Sequence, residues 1–285
     1  MKKCLKPFLR GFFSKYPPFR VLAYEICKKS VLNKHLIIKM RSEDYFLLVN
    51  TRDHWSLQPI KRGIVETPED KFIKENRLIR EGDTVIDVGA HWGGFSIFFA
   101  KLTGINGKVY SFEASSRNFK YLKKNVCLNN LKDTVKIYRY AVGSKDGYVN
   151  LGIAKTSSGH NSIVRDNLPV QDYEKVKLIS LDRFVEENKI KNINFIKIDV
   201  EGYELEVLKG FEKTLKDLKN FWMFIEYSPS YMGNDEALEL LEIFKRYFNK
   251  VYIGYKKKIY ETNWSEVKEL SFKTGLRNLF LYKSK

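Results

Sequence analysis

The clearest pattern in the chain is an apolar, β-branched run followed by glycines and then by an apolar helix start. Residues 84–88 form the run, which suits a strand buried on both faces of a parallel sheet. Gly89, Gly93 and Gly94 follow, and glycine permits a tight turn with close backbone approach to a ligand. Residues 95–100 then open a predicted helix. Such turns bind nucleotides in open α/β sheets, although a plain strand-to-helix turn is the alternative interpretation.

A second predicted strand ends in an acidic residue about 20 positions after the glycine turn. Residues 107–113 form this strand, and Glu113 comes 19 residues after Gly94. An acid about 20 residues beyond the glycine turn accepts hydrogen bonds from ribose hydroxyls. Residues 115–129 then place apolar side chains at helical spacing, and residues 135–138 predict a third strand.

The segment around Asp199 repeats the arrangement of strand and turn. Residues 195–198 predict a buried strand, and Asp199 and Glu201 follow at its carboxyl end. Gly202 then makes a turn, after which residues 203–215 predict a helix. Two carboxylates are therefore expected at the edge of the sheet where α/β proteins carry their sites.

One more buried strand, predicted over residues 221–226, also ends in an acid, Glu226. Because the carboxyl ends of parallel strands share one edge, Glu113, Asp199 and Glu226 are expected on the same side of the sheet. The alternative is that acids occur at strand ends because these positions are solvated and start helices.

The rest of the pattern divides the chain into two parts. Residues 1–80 are predicted to form a basic leader and accessory lobe, and residues 81–285 the catalytic domain. The lobe is expected to contain a helix over residues 21–32, a hairpin over 36–49 with its turn at 42–44, and a helix over 69–80. In the catalytic domain a polar insertion over residues 156–172 separates strands at 148–153 and 176–179, and an antiparallel hairpin is expected to join strands at 251–255 and 278–282.

The glycine turn differs from the dinucleotide fingerprint in a way that changes the expected ligand. His91 stands where that fingerprint has the glycine that lets the backbone touch a pyrophosphate. A side chain at this position argues against NAD and FAD. A nucleoside ligand without phosphate fits better, and S-adenosylmethionine is the common one.

These segments resemble the FkbM-type methyltransferases. The resemblance covers about residues 40–285, and it implies a class I methyltransferase, Rossmann-like α/β fold. That fold has a seven-stranded, mostly parallel sheet with one antiparallel edge hairpin, here with a small N-terminal lobe. It also implies methyl transfer from S-adenosylmethionine, usually to a hydroxyl of a glycan, lipid or secondary metabolite. Ala114 and Trp92 depart from the proline and the smaller aliphatic residue common in the family. The matching segments are residues 87–96, 109–113, 141–143, 160–163, 179–182 and 196–210.

Asp199 is the first candidate base for the hydroxyl proton, because it ends a central strand beside the glycine turn. Glu201 and His160 follow; a lone histidine in a polar loop is more often solvated, but the neighbours of His160 match the family's loop. His91 is expected to pack near the cofactor rather than to take protons. A divalent metal could bind Asp199, Glu226 and His160, but no ligand spacing indicates one. The expected cofactor-binding residues are Asp87, Gly89, Ala90, His91, Gly93, Phe95, Ser96, Glu113, Ala114, Ala141 and Asp199.

Charge adds a possible partner surface. The chain carries a formal net charge of +17. Residues 1–41 hold eleven Lys or Arg and one acid, which gives 11 − 1 = +10. Residues 1–35 are therefore expected to contact an anionic membrane surface, with RNA or no partner as alternatives. Nucleic acid is less favoured, since the chain lacks an Asn-Pro-Pro-aromatic motif for base amines.

Composition bounds the remaining function classes. Three cysteines without metal-ligand spacing favour a reducing compartment, and there is no run of 18 apolar residues. We therefore expect a cytoplasmic protein, peripheral at the inner membrane face if the leader binds lipid. An O-methyltransferase is the leading hypothesis, with an RNA methyltransferase and a non-catalytic basic binding protein as alternatives.

Overall fold

The structure is a computed structural model that describes residues 35–40, 45–56, 67–155, 157–163 and 170–284. The predicted helix over residues 21–32 and the turn at residues 42–44 lie outside this part of the chain. The strands are β1 (His35–Met40), β2 (Tyr45–Asn50), β3 (Thr84–Val88), β4 (Lys108–Phe112), β5 (Val135–Tyr138), β6 (Ala141–Val142), β7 (Gly147–Ala154), β8 (Val170–Ile179), β9 (Phe195–Ile198), β10 (Phe221–Tyr227), β11 (Lys250–Tyr255), β12 (Lys258–Thr262) and β13 (Arg277–Lys283).

Helices follow most of the strands, as expected for an α/β protein. Two short 3-10 helices, His54–Ser56 and Ser158–His160, lie in loops. The α-helices are α1 (Pro68–Glu75), α2 (Gly94–Thr103), α3 (Ser116–Leu128), α4 (Leu181–Glu187), α5 (Glu204–Lys209), α6 (Glu212–Asp217), α7 (Pro229–Met232), α8 (Asn234–Tyr247) and α9 (Trp264–Thr274).

A large sheet forms the centre of the molecule, in the order β12-β11-β13-β10-β9-β3-β4-β5. The pairs from β10 to β5 are all parallel, whereas β13 runs antiparallel to both β10 and β11. This confirms the predicted Rossmann-like, mostly parallel sheet with an antiparallel edge. The strand order places the carboxyl ends of β3, β4 and β9 side by side, where the predicted motifs lie.

Both faces of the sheet are covered, because its central strands carry apolar side chains on both faces. Val85 and Phe195 point into one cluster, which also contains α2 and α3 side chains such as Phe98. Ile86 and Ile196 point into the other, which the helices α5, α6 and α8 complete. All four of these strand residues are fully buried, so the sheet holds its edge rigidly beneath the site.

The predicted hairpin over residues 36–49 is confirmed by the antiparallel pairing of β1 with β2. Tyr45, Leu47 and Val49 alternate inward and join the same cluster as α2 and α3. The hairpin thus shares a core with residues beyond 80. The division of the chain at residue 80 stays a prediction.

Asn125 of α3 and Asn129, the residue that caps the end of this helix, satisfy the backbone of β2 on its unpaired side. Asn125 accepts a hydrogen bond from the Leu48 N–H at 2.6 Å and donates to its carbonyl at 3.2 Å. Asn129 does the same for Phe46, at 2.8 and 2.7 Å. Side-chain amides can stand in for a neighbouring strand because each carries both a donor and an acceptor. These four bonds attach the hairpin beside the glycine turn.

The sheet has eight strands in the described residues, not the expected seven. The additional strand is β12, which pairs with β11 through a turn at Lys256 and Lys257. Both residues have positive φ, of 46° and 65°. Two-residue hairpin turns of this kind usually carry Asn-Gly, so the two lysines gave no turn signal in the sequence.

Two further expectations were wrong in detail. The strands at residues 251–255 and 278–282 are antiparallel neighbours, but β12 and α9 connect them rather than a hairpin turn. The helix predicted over residues 203–215 is two short helices that break at Gly210. A side chain at Gly210 would lie 1.9 Å from the Gly143 carbonyl oxygen, so the break results from a close tertiary contact.

A smaller sheet of order β6-β8-β7 follows β5 along the chain. It contains the predicted strands at residues 148–153 and 176–179, and the polar insertion between them includes the 3-10 helix Ser158–His160. An isolated bridge from Gly152 to Ser162 folds the insertion back toward the edge of the large sheet.

Candidate active site

A cavity of about 250 Å³ opens at the carboxyl ends of β3, β4 and β9. Its walls come from the glycine turn, the end of β4, the turn after β9, and the polar insertion. Trp55, in the 3-10 helix after β2, closes one side. The three sheet strands therefore bring together residues more than 100 positions apart in the chain.

The glycine turn depends on two conformations that ordinary side chains avoid. Gly89 has φ of 77°, and a Cβ there would lie 1.8 Å from the Asp199 carbonyl oxygen. Gly93, with φ of 90°, precedes α2 as its N-cap residue. The turn after β3 is thus packed directly against the turn after β9. Only glycine at position 89 allows this approach.

His91 packs beneath the cavity rim. Its φ is 52°, its ring stacks on Trp92 at 5.0 Å, and Trp55 meets it edge-on at 4.6 Å. The ring Nε2 lies 2.7 Å from the Ser158 hydroxyl. Burial lowers the pKa of His91 to about 3, and the positive charges of Lys197 and Arg117 add to this. The imidazole is neutral at physiological pH, which suits a packing role.

Glu113 braces the glycine turn from the end of β4. One carboxylate oxygen accepts the His91 N–H at 2.8 Å, and the other accepts the Ser115 N–H at 2.8 Å. Burial raises the pKa of Glu113 to about 7, although the two backbone hydrogen bonds oppose this rise. The Asn118 side chain also donates a hydrogen bond to this carboxylate. A carboxylate has about four lone-pair sites, so one acceptor position stays open beside these three donors.

A buried lysine lines the floor of the cavity, and sequence reasoning missed it. Lys197 is 2% exposed at its side chain, and its Nζ lies 3.3 Å from an Asp199 oxygen and 3.5 Å from an Asp87 oxygen. Burial works to lower the pKa of Lys197, but the Asp199 and Asp87 carboxylates more than offset this and raise it. The lysine is therefore a cation. It ties Asp199 at the cavity to Asp87, whose other oxygen accepts the Ser96 hydroxyl at 2.6 Å.

An acidic cluster continues from Asp199 along the sheet edge. One oxygen from each of Asp199, Glu201 and Glu226 lies within 4.8 Å of the others. Glu201 has φ of 59°, and the Ser162 hydroxyl donates to its carbonyl at 2.8 Å. Glu204 lies beneath and accepts hydrogen bonds from two N–H groups of the same turn. Burial is the main cause that raises its pKa to about 7.

A polar clamp around Ser158 was also missed by sequence reasoning. Asp53 pairs with Arg117 at 3.0 Å and accepts the Ser158 N–H at 3.3 Å. Asn118 donates to the Ser158 carbonyl at 3.0 Å and accepts the Trp92 indole N–H at 2.9 Å. These contacts join residues 26 to 105 positions apart in the chain, so no local pattern could have indicated them. They hold the polar insertion over the cavity.

The structure places the predicted residues in two groups. Gly89, Ala90, His91, Phe95, Glu113, Ala114, Ala141 and Asp199 line the cavity, as do Glu201 and His160. Asp87, Gly93 and Ser96 do not line it. Asp87 and Ser96 are fully buried behind it, where they hold Lys197 and the start of α2.

Known proteins resemble parts of this chain. The hexuronic acid methyltransferase AglP of Haloferax volcanii is 29% identical over 138 residues, which are 48% of this chain and 54% of that protein. The methyltransferase sdnD of Sordaria araneosa is 24% identical over 51% of this chain and 67% of its own length. A tRNA (adenine(58)-N(1))-methyltransferase catalytic subunit of Yarrowia lipolytica is 28% identical over 35% of this chain and 26% of its own length.

The chain thus spans about half the length of the first of these relatives. Among solved structures, an FkbM methyltransferase of Methylobacillus flagellatus aligns with a TM-score of 0.45 at 14% identity, covering 93% of this chain and 59% of that one.

The family assignment rests on a direct match to the methyltransferase FkbM domain over residues 87–252. That range begins at Asp87, includes the glycine turn and Glu113, and extends beyond the acidic cluster to β11. It covers more than half of the chain. The protein therefore belongs to the FkbM methyltransferase family.

Proposed function

We propose that this protein methylates a hydroxyl group of a glycan, a lipid or another small-molecule acceptor. The observation that carries this proposal is a shared cavity. Glu113 and the glycine turn line it on one side, and Asp199, Glu201 and His160 line it on the other. A cofactor-binding half and a set of groups able to take a proton thus face the same space.

The residues present fit S-adenosylmethionine, which supplies an electrophilic methyl group on a sulfonium centre. Glu113 keeps an acceptor position open beside its three protein donors, and a ribose hydroxyl needs such an acceptor. Gly89 keeps the turns after β3 and β9 in contact, which closes the floor beneath the ligand. Carboxylates around the cavity also favour a cationic ligand.

Asp199 is our first candidate for the group that takes the hydroxyl proton. Its side chain is 38% exposed, and the Lys197 ammonium holds one of its oxygens at 3.3 Å. The carboxylate is therefore oriented before an acceptor arrives. A positioned base contributes about 10²–10⁴ in rate, and alignment of the reactants supplies roughly 7–11 kcal/mol. Glu201 and His160 are the alternative bases.

The similarity to a hexuronic acid methyltransferase supports a carbohydrate acceptor. RNA is the second candidate, favoured by the net charge of +17 and by the similarity to a tRNA methyltransferase subunit. Asp199 and Glu201 at the cavity favour a neutral or hydrogen-bonding acceptor over a phosphodiester, since like charges repel.

We also propose that residues 1–35 attach the enzyme to an anionic membrane surface. Their charge supports this, since each basic residue near such a surface contributes about 1 kcal/mol. Of the helices that the structure describes, none has the length and apolar character needed to span a membrane.

Methyl transfer from radiolabelled S-adenosylmethionine tests the acceptor class. The full chain is incubated with glycosides of uronic acids, with neutral glycosides and with transfer RNA, and label in each acceptor is counted. We expect label in a glycoside, and we expect Asp199→Asn to reduce it. Label in RNA with none in any glycoside would replace the first candidate by the second.

A further inference from the structure

The acidic cluster lies where two neighbouring strands end. Asp199 and Glu201 belong to the turn after β9, and Glu226 lies near the end of β10, which pairs with β9. One oxygen from each carboxylate lies within 4.8 Å of the other two. Carboxylates at such distances repel one another unless a proton or a cation separates them.

Glu226 provides the second, independent observation. It is only 9% exposed, and its Oε2 atom is buried without a hydrogen-bond partner among the described residues. A buried carboxylate oxygen normally has a partner, because an unmet one costs about 1–3 kcal/mol or more. The carboxylate that carries it also offers an oxygen within 4.8 Å of oxygens of Asp199 and Glu201.

The cations nearby do not meet this need. Lys197 already contacts both Asp87 and Asp199. Arg277 is paired in register with Tyr227, the residue after Glu226, and successive strand residues point to opposite faces. Its guanidinium lies over the Tyr255 ring at 5.3 Å. Among the described residues, neither of these cations therefore pairs with the Glu226 carboxylate.

We propose that Asp199, Glu201 and Glu226 bind a divalent cation of the class that prefers oxygen ligands, such as Mg²⁺ or Mn²⁺. The donor set is all carboxylate, which suits these ions. Such ions keep several water ligands, so three protein carboxylates leave positions open. This set replaces the one expected from the sequence, since Glu201 takes the place of His160.

The pKa of Glu226 agrees with this assignment. Burial raises it well above the usual range, and the negative charges of Asp199, Glu204 and Glu201 raise it further. A bound cation would offset these negative charges.

The role of the ion rests on the proposed function, whereas its binding does not. Asp199 and Glu201 line the cavity. An acceptor hydroxyl could therefore fill an open position on the ion. A hydroxyl bound to a divalent cation loses its proton more easily, because the ion stabilises the resulting negative charge. The acceptor class so favoured carries two adjacent oxygens that can chelate, as on a sugar ring.

Mn²⁺ alone is the probe, because its electron paramagnetic resonance signal separates free from bound ion. The full chain is titrated without S-adenosylmethionine. We expect one Mn²⁺ site, from which Mg²⁺ displaces the bound Mn²⁺. Glu226→Gln should weaken the affinity for Mn²⁺ by about tenfold or more. Glu242→Gln is the matched control, since that carboxylate is 66% exposed on α8 and pairs with Lys245. It should leave Mn²⁺ binding unchanged.

Thermal unfolding shows whether Glu226→Gln loses Mn²⁺ binding because the variant is misfolded. Glu226→Gln without metal should melt no lower than the wild type, since glutamine has a similar size and cannot ionise beside the other acids. The rise in melting temperature caused by Mn²⁺ should be lost in this variant only.

Two results would overturn the assignment. One is no Mn²⁺ bound up to about 1 mM, the weak end for protein sites of this kind. The other is equal binding by the wild type and Glu226→Gln. Calorimetry with S-adenosylmethionine is run in parallel on the wild-type protein. If the wild type binds Mn²⁺ but does not bind S-adenosylmethionine, the proposed function is refuted and the metal site is not.

Discussion

Replacing Lys197 by methionine tests whether the buried ammonium neutralises the carboxylates beneath the cavity. Methionine keeps most of the apolar stem but removes the charge 3.5 Å from Asp87 and 3.3 Å from Asp199. Asp87 is fully buried and would be left without a cation. Breaking a buried ion pair in this way costs about 3–5 kcal/mol. For a chain of this size that corresponds to a fall of roughly 6–20 °C in melting temperature.

Chemical unfolding in urea at pH 7 measures this loss. Lys213→Met is the matched control, because that side chain is 71% exposed and its ion pair with Glu186 at 3.5 Å is worth at most about 1 kcal/mol. Adding Asp87→Asn to Lys197→Met should recover part of the loss, since the orphaned charge is then gone.

The pH dependence gives a second check. The folded pKa of Lys197 is raised above its ordinary value of 10.5. The stabilisation is therefore fully present below pH 10.5 and is lost as the pH rises through the higher folded value. Equal unfolding free energies for the Lys197 and Lys213 variants would refute the reasoning.

Further predictions concern the turn, the cofactor, the base and the leader. Gly89→Ala should prevent folding or destabilise far more than Gly82→Ala, as urea unfolding would show, because both have positive φ but only the first Cβ meets a backbone oxygen, at 1.8 Å. Glu113→Gln should weaken S-adenosylmethionine binding about tenfold at pH 8, measured by calorimetry. Since the pKa of Glu113 is raised to about 7, wild-type affinity should rise as the carboxyl ionises through that pH, and a pH-independent affinity would contradict its role. Asp199→Asn should reduce turnover with little change in melting temperature; turnover within about threefold of wild type would pass the role to another base. Removing residues 1–34 should abolish sedimentation with anionic liposomes at low salt but keep cofactor binding, and equal sedimentation of both proteins would exclude the leader as the anchor.

The elements around the cofactor side could be predicted from the sequence because their signals are local. An apolar run, glycines and a helix start stand next to one another at residues 84–100. Each is determined by contacts within a few residues and by burial on both faces. The acid that ends β4 and the two acids after β9 could be found in the same way. The turn at Lys256 could not, because lysine is an uncommon residue for a positive φ.

The chemistry beneath the cavity could not be predicted, because it depends on which strands are neighbours. In the sequence, Lys197 is a single polar residue within an apolar predicted strand. Only the pairing of β9 with β3 brings it to Asp87, 110 positions earlier. Likewise, Glu226 meets Asp199 because β10 pairs with β9. A sequence pattern records the preferences of neighbouring residues, whereas the strand order is decided by burial of the whole sheet. The local strands and turns of the site were therefore determined by the sequence alone. The ion-pair partners of its buried ionisable residues, and the direction of their pKa shifts, were decided by the tertiary structure.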